Sequence, residues 1–142
     1  MRSTLYFLSM TTKLKTVLIV DDDESLREIF SISLEMAGYQ TIAAKNGKAA
    51  LDVLLSLTAE SLPDCILLDY FMPEMDGPTF LETLRTRYAV PFENIPIIIC
   101  SAFASIPRSR FAFNRLEKPF DLEKLYRTIN STIMAPPSSV LG

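Results

Sequence analysis

The sequence predicts an α/β protein with a doubly wound parallel sheet of five strands, and three observations support that prediction. Short apolar runs alternate five times with segments of helical periodicity along the 142 residues. The apolar runs hold almost no polar side chains, as is typical of parallel strands that are buried on both faces. Several of the runs end in a charged or hydroxyl residue, where open parallel sheets place their binding sites.

The composition indicates one globular domain and excludes several classes of function. Hydrophobic residues make up 49% of the chain and the net charge is -3, which suits a single sizeable core. Lys and Arg form no dense cluster, so nucleic-acid binding is not expected. No apolar run approaches the roughly 20 residues that cross a bilayer, and no membrane association is expected.

The two cysteines, Cys65 and Cys100, both lie inside apolar runs, and the chain has no histidine. Such cysteines are typical of buried thiols in a reducing compartment, not of a disulfide framework. A structural zinc site is excluded because its usual ligands are missing. We therefore expect a cytoplasmic protein.

The first strand covers Val17 to Val20 and is followed by the acidic residues 21–24. Apolar residues then recur at helical spacing from Leu26 to Ala37, and Gly38 stands where a helix end favours a left-handed residue. The acidic residues therefore lie on a strand-to-helix turn, where the helix N-terminus tolerates negative charge.

A weaker second strand is expected at Gln40 to Ala44, and Asn46-Gly47 forms a turn before a helix from Lys48 to Leu57. Residues 61–63 end that helix.

The third strand begins at Cys65 and ends in a carboxylate, Asp69. Residues 70–77 have the turn chemistry of a loop. Pro78 suits the first turn of a third helix, which is expected to run to about Tyr88.

Residues 91–96 are predicted to form a loop before a fourth buried strand at residues 97–100. A short fifth strand follows at residues 114–117. Asp121 is a suitable N-cap for a last helix, which ends near Ile133 and carries an apolar stripe. That stripe consists of Leu122, Leu125, Ile129 and Ile133.

Three segments are predicted from this pattern. Residues 1–14 form a leader that is expected to be disordered, residues 15–134 form the domain, and residues 135–142 form a flexible tail. No output domain follows the last helix in the sequence, so a stand-alone domain is expected.

In flavodoxin-like sheets the strand order is 2-1-3-4-5, and ligands bind where strands 1 and 3 adjoin. This topology would bring Asp21, Asp22 and Asp69 together, with Ser101 and Lys118 arriving at the ends of strands 4 and 5. Each residue alone has a simpler explanation: the aspartates could cap a helix, Ser101 could belong to a turn, and Lys118 could be a solvated loop residue. It is much less probable that five such residues occur by chance at the strand ends in this order.

Three crowded carboxylates repel one another unless a cation intervenes, and oxygen ligands with an open face suit Mg²⁺. Their charge balances that of one Mg²⁺ and Lys118. A carboxylate in such a pocket can act as the nucleophile toward a phosphoryl group. Ser101 could then donate a hydrogen bond to a phosphoryl oxygen.

The motifs resemble those of the receiver domain of two-component response regulators. They are Val17 to Asp22, Leu67-Leu68-Asp69, Met72-Pro73, Met75-Asp76-Gly77, Ser101-Ala102 and Lys118-Pro119-Phe120. The resemblance spans roughly Lys15 to Met134.

The resemblance implies that Asp69 accepts the phosphoryl group, and that Asp22, Asp69 and the main-chain carbonyl of Phe71 bind Mg²⁺. It also implies that Asp21 acts through metal-bound water, Ser101 as the switch hydroxyl and Lys118 as the phosphoryl-binding cation. The implied donor is a histidine kinase or a histidine phosphotransfer protein, and the output is contact with a downstream protein target. The implied protein is a monomer or weak dimer, and it is not an enzyme beyond its own phosphorylation and dephosphorylation.

Two departures from the family pattern stand out. The interval from Ser101 to Lys118 is short, so helix 4 between strands 4 and 5 is predicted to be shortened or missing. Arg115 occupies the place where the family usually carries an aromatic switch residue.

Two alternatives remain open at this point. The chain could be a non-phosphorylated interaction module with a receiver-like fold. It could also be a small phosphohydrolase with an aspartate nucleophile, because Asp21-x-Asp23 resembles the haloacid-dehalogenase motif. The residues that follow Asp23 depart from that motif, and the chain lacks room for that family's cap.

Overall fold

The computed structural model describes residues 13–102 and 111–136. They form one five-stranded sheet in the order β2-β1-β3-β4-β5. The strands are β1 (Thr16–Val20), β2 (Gln40–Ala44), β3 (Cys65–Asp69), β4 (Ile97–Ser101) and β5 (Asn114–Glu117). Every neighbouring pair is parallel. The predicted doubly wound sheet and its strand order are therefore confirmed.

Four main helices flank the sheet: α1 (Glu24–Met36), α2 (Gly47–Ser56), α3 (Gly77–Thr86) and the C-terminal helix (Leu122–Met134). A 3-10 turn at Ala59–Ser61 and a single helical turn at Ala89–Phe92 complete the regular structure of the described residues. The prediction for helix 4 concerns the interval from Ser101 to Lys118, in which residues 103–110 lie outside the described residues.

An aspartate or asparagine side chain caps the N-terminus of each main helix. Asp23, Asn46, Asp76 and Asp121 accept hydrogen bonds from the main-chain N–H groups of Leu26, Ala49, Thr79 and Lys124, respectively. Each cap satisfies a donor that has no partner within its helix and contributes about 1 kcal/mol. The helices therefore begin at points that the sequence itself specifies.

The sheet separates two apolar cores. On one face, α2 and α3 pack against the alternate strand residues, with Phe80 and Leu84 fully buried. On the other face, α1 and the C-terminal helix pack over residues such as Ile19 and Leu67. Every residue of β1, β3 and β4 is buried, and each large apolar side chain contributes roughly 1.5–3 kcal/mol by leaving water.

The helical turn at Ala89–Phe92 overlaps residues 91–96, so the predicted loop is wrong at its first two residues. Phe92 packs into the core on the α3 side of the sheet. The Arg85 guanidinium donates hydrogen bonds to the main-chain carbonyls of Phe92 at 2.5 Å and Ile95 at 2.6 Å. The turn is irregular, because Val90 within it has an extended conformation with φ -100° and ψ 126°. The contacts of Phe92 and Arg85 hold this segment against the domain at a point where local sequence signals indicate a loop.

Both cysteines are buried and unpaired, as predicted. Burial raises the pKa of the Cys65 thiol to about 12, so the thiol stays protonated and behaves as a small apolar side chain. None of the helices in residues 13–102 and 111–136 is long and apolar enough to cross a membrane.

Candidate functional site

Three carboxylates meet at the carboxyl edge of the sheet. Asp21 follows β1 and Asp69 ends β3, and these strands are hydrogen-bonded neighbours with Val20 opposite Leu68. Asp21 is 3% exposed and Asp69 9% exposed, whereas Asp22 is open to solvent. One carboxylate oxygen of each aspartate lies within 4.8 Å of the other two. The three predicted acidic residues are therefore brought together.

Lys118 reaches the same site from the end of β5. Its main-chain N–H donates a hydrogen bond to the carbonyl of Ser101 at 2.7 Å, which joins the ends of β4 and β5. Its Nζ lies 3.2 Å from Asp69 Oδ1 and 3.6 Å from Asp21 Oδ2. Ser101, the last residue of β4, is only 2% exposed. Strand pairing thus positions a cation and a hydroxyl residue beside the carboxylates.

The electrostatic balance of this site disfavours ionised carboxylates in the absence of a further cation. Burial and the charge of Asp21 together raise the pKa of Asp69 to about 6, although Lys118 opposes both effects. Burial also raises the pKa of Asp21. For Lys118, burial lowers the pKa, but the two carboxylates together raise it more, so the ammonium form is favoured.

The donor set fits Mg²⁺. All three side chains offer hard oxygen ligands, and the exposed side of Asp22 leaves room for water and a phosphoryl oxygen. One Lys118 ammonium cannot balance three carboxylates, so the site lacks positive charge in a way that a divalent cation would correct. Asp21, Asp22 and Asp69 are the side chains that would hold it.

Phe71 lies in the β3–α3 loop, residues 70–76, two residues beyond Asp69. Its ring is 55% exposed and meets the ring of Tyr70 edge-on at a centroid distance of 4.7 Å. The residue is thus adjacent to the acidic site, as predicted, while its role in metal binding stays a prediction.

Sequence reasoning missed the contribution of Arg27. Its guanidinium donates a hydrogen bond to the main-chain carbonyl of Asp21 at 2.8 Å, across the first turn of α1. The main-chain N–H of Asp23 also donates to Asp21 Oδ1 at 2.9 Å. These two bonds hold the acidic turn in one conformation. An arginine in the first two turns of a helix after three aspartates is the signal that could have indicated this contact.

Gly77 allows the β3–α3 loop to return close to Asp69. Its main-chain N–H donates a hydrogen bond to the carbonyl of Tyr70 at 3.0 Å. A Cβ at this position would lie 2.6 Å from the main-chain oxygen of Asp69 and 3.0 Å from the Cα of Tyr70. Both neighbours belong to the backbone, so no side-chain rotation can relieve the clash.

We expect Gly77→Ala to destabilise the protein by roughly 1–3 kcal/mol, the usual range for inserted volume at a tightly packed position. Urea denaturation measures this effect as a lower midpoint at an unchanged denaturant dependence. An unchanged midpoint would show that the loop can move away from α3 without a loss of stability.

Arg115 lies exposed on β5, where its guanidinium carbon is 5.9 Å from the centroid of the Phe113 ring. Phe113 in turn packs against the core on the α3 side of the sheet. The arginine at the position of the expected aromatic switch residue thus lies over the ring of Phe113, which directly precedes β5.

Comparison with known proteins places this arrangement in a family. The family profile described as "Response regulator receiver domain" matches residues 17–130. Sporulation initiation phosphotransferase F of Bacillus subtilis is 35% identical over 114 residues, a match that covers 77% of this chain and 86% of that protein. Regulatory protein AtoC of Escherichia coli is 34% identical over 119 residues, which cover 80% of this chain but only 24% of AtoC.

The solved structure of the chemotaxis response regulator CheY4 of Vibrio cholerae has the same fold. It superposes with a TM-score of 0.72 at 29% sequence identity and covers 83% of this chain and 98% of CheY4. Taken with the profile match, the strand order and the acidic cluster, this similarity shows that the chain belongs to the response regulator receiver domain family.

Proposed function

We propose that this receiver accepts a phosphoryl group on Asp69 and signals through contact with another protein. The observation that carries the proposal is the placement of Lys118 Nζ at 3.2 Å from Asp69 and 3.6 Å from Asp21. A carboxylate beside a fixed ammonium group at the mouth of a sheet edge suits attack on an electrophilic phosphorus. The same cation can then neutralise the negative charge that the phosphoryl group brings.

The proposed reaction is the transfer of a phosphoryl group from a phosphohistidine. An Asp69 carboxylate oxygen forms a bond to phosphorus as the phosphorus–nitrogen bond of the donor breaks, and the electron pair of that bond returns to the imidazole. The product is an acyl phosphate on Asp69. Because the pKa of Asp69 is about 6 without a metal, the nucleophile is mostly ionised above that pH. The ammonium of Lys118 orients the Asp69 oxygen that it contacts.

Mg²⁺, when bound by Asp21, Asp22 and Asp69, supplies charge neutralisation for the incoming phosphoryl oxygens. The main-chain carbonyl of Phe71 is proposed as a further ligand. Ser101 is proposed as the hydroxyl that binds a phosphoryl oxygen, a role supported by its position at the end of β4 next to Asp69.

Receiver domains generally signal and do not turn over external substrates, and they partner with histidine kinases and downstream effectors. We propose the same for this chain, with a histidine kinase or a histidine phosphotransfer protein as donor. The chain spans about a quarter of the length of AtoC and most of the length of phosphotransferase F. A phosphorelay role like that suggested by the name of phosphotransferase F is part of the proposal, supported by the 35% identity over 114 residues.

The test is phosphorylation by a small donor. After incubation with acetyl phosphate and Mg²⁺, the intact mass of the wild-type protein should increase by one phosphoryl group. Hydroxylamine should remove the group, because it cleaves acyl phosphates and spares phosphoserine. Asp69→Asn should show no increase, since an amide is not a nucleophile.

Asp52→Asn is the matched control, because it removes an exposed carboxylate from α2, on the same chain but outside the site. It should be phosphorylated like the wild type. A folded wild-type protein that gains no mass would instead be an interaction module. Turnover of phosphomonoesters that is lost in Asp21→Asn would identify a hydrolase.

A further inference from the structure

The β3–α3 loop, which carries Phe71, is in contact with the turn between β2 and α2. Gly47, the first residue of α2, is buried, and the side chain of Met75 lies directly against it. A Cβ at Gly47 would lie 2.8 Å from Met75 Cγ, 3.0 Å from its Sδ and 3.1 Å from its Cβ. Only glycine therefore leaves room for the methionine in its present place.

A second contact joins the same two segments. Asn46 is buried, and while its Oδ1 caps α2, its Nδ2 lies 3.4 Å from Glu74 Oε2 as a long hydrogen bond. Glu74 has a φ of 67°, a left-handed conformation that is uncommon for residues other than glycine. Such a conformation persists where surrounding contacts hold it, and here both Glu74 and the following Met75 contact the β2–α2 turn.

The loop is thus held at three points along its length. Its ends are fixed by Asp69 in the sheet and by the hydrogen bond from Gly77 to Tyr70, and Met75 holds it near its C-terminal end through the contact with Gly47. In chain order, Phe71 lies between Asp69 and Met75. The position of Met75 therefore limits the paths that residues 71–74 can take past the acidic site.

We propose that the Gly47–Met75 contact positions the β3–α3 loop for metal binding, so that Gly47 and Met75 are positioning residues for the phosphorylation site. The proposal rests on the proposed function, because it concerns how the loop presents a main-chain ligand beside Asp69. Neither residue is among the carboxylates and the ammonium group that form the site. A shift of Met75 by a few tenths of an ångström is transmitted along the loop to the Phe71 carbonyl.

The test compares Mg²⁺ affinity, measured by isothermal titration calorimetry, in five proteins: the wild type, Gly47→Ala, Met75→Ala, the double variant and Gly38→Ala. Alanine is the better helix former, so Gly47→Ala should not weaken α2 by itself. We expect it to weaken Mg²⁺ binding by about tenfold, the lower end of what displaced supporting contacts cost a metal site.

The double variant is the informative one. Removing the Met75 side chain beyond Cβ eliminates the two closest contacts, so alanine at position 47 should then have little further effect. We expect Met75→Ala and the double variant to bind Mg²⁺ equally, about threefold more weakly than the wild type, because the loop has lost one of its three supports.

Gly38→Ala is the matched control for general destabilisation. Gly38 has a φ of 98° with open space around it, so alanine there strains the backbone far from the site without a clash. Its thermal midpoint should fall while its Mg²⁺ affinity stays that of the wild type.

The inference would be overturned if Gly47→Ala binds Mg²⁺ as tightly as the wild type does. It would also be overturned if Gly47→Ala weakens Mg²⁺ binding by the same factor whether residue 75 is methionine or alanine. If Gly47→Ala does not fold, wild-type affinity in Met75→Ala overturns it instead. Either result leaves the proposed function intact, because the wild type still binds Mg²⁺ and accepts the phosphoryl group. A wild type that does neither removes the proposed function and this inference together.

Discussion

Replacing Asp69 with asparagine should stabilise the metal-free protein at neutral pH by up to about 3 kcal/mol. In the folded state burial and the charge of Asp21 raise the pKa of Asp69 from 3.8 to about 6. The folded protein therefore binds this proton more tightly than the unfolded chain. Each pH unit between the two values corresponds to about 1.36 kcal/mol, which gives roughly 3 kcal/mol for the whole interval.

The free energy of unfolding of the wild-type protein should fall as the pH rises. The contribution of Asp69 to stability is fully present below pH 3.8 and is lost as the pH rises through about 6. Urea denaturation across this range should show wild-type stability falling more steeply than that of Asp69→Asn. The two proteins should converge at acidic pH, and parallel curves would contradict the proposed burial cost.

Added Mg²⁺ should offset most of this difference in stability. A ligand at 100 times its dissociation constant stabilises the folded state by about 2.7 kcal/mol, and asparagine is a poorer ligand than a carboxylate. Wild-type stability at neutral pH should therefore rise with added Mg²⁺ much more than that of Asp69→Asn. Asp52→Asn should follow the wild type in both conditions, since this residue lies outside the site.

Replacing Lys118 with methionine should have the second-largest effect, with the opposite sign. Among the described residues, the ammonium group of Lys118 is the cation that contacts both Asp69 and Asp21. Methionine keeps much of the apolar stem but leaves the two carboxylates facing each other. The expected loss is about 1–3 kcal/mol at neutral pH, the range for charged hydrogen bonds in partly buried surroundings.

The stabilising effect of Lys118 also depends on pH. Burial lowers the pKa of Lys118 but the two carboxylates raise it more, so its stabilising contribution is present at neutral pH and lost only as pH rises beyond its raised value. At acidic pH the loss should shrink as Asp69 is protonated. Lys48→Met, which removes an exposed lysine from α2, is the control and should change stability little.

A double-variant cycle isolates the pair. If Lys118 acts mainly through Asp69, the cost of Lys118→Met should largely disappear in the Asp69→Asn background. A cost that is unchanged there would show that the Lys118 ammonium stabilises the fold through Asp21 and not through Asp69. The cycle is measured by urea denaturation at neutral pH without metal.

The strands and the acidic cluster could be predicted because the signals for them are local. Gln40–Ala44 and Asn114–Glu117 occur where expected, since short apolar or alternating runs between turn residues leave few other options. The meeting of Asp21 and Asp69 then follows from parallel topology alone, which places the carboxyl ends of β1 and β3 side by side.

Contacts between separate loops could not be predicted in the same way. The Asn46-Gly47 pair indicates a turn, but nothing near it in the sequence indicates that Met75 would lie against the glycine. Likewise, Leu122 belongs to the apolar stripe predicted for the last helix but is exposed in the structure, and so is Ile29 of α1. Periodicity identifies residues that share a helix face, but not where the neighbouring sheet ceases to cover it.

The position of β5 at the border of the sheet has a consequence for the behaviour of the protein in a crowded solution. A border strand offers unpaired main-chain groups to any other extended chain, and this is a common route to aggregation. Here the strand is only four residues long, and Arg115 and Glu117 project as exposed charges along it. Shortness and charge together discourage the addition of a foreign strand at this border of the sheet.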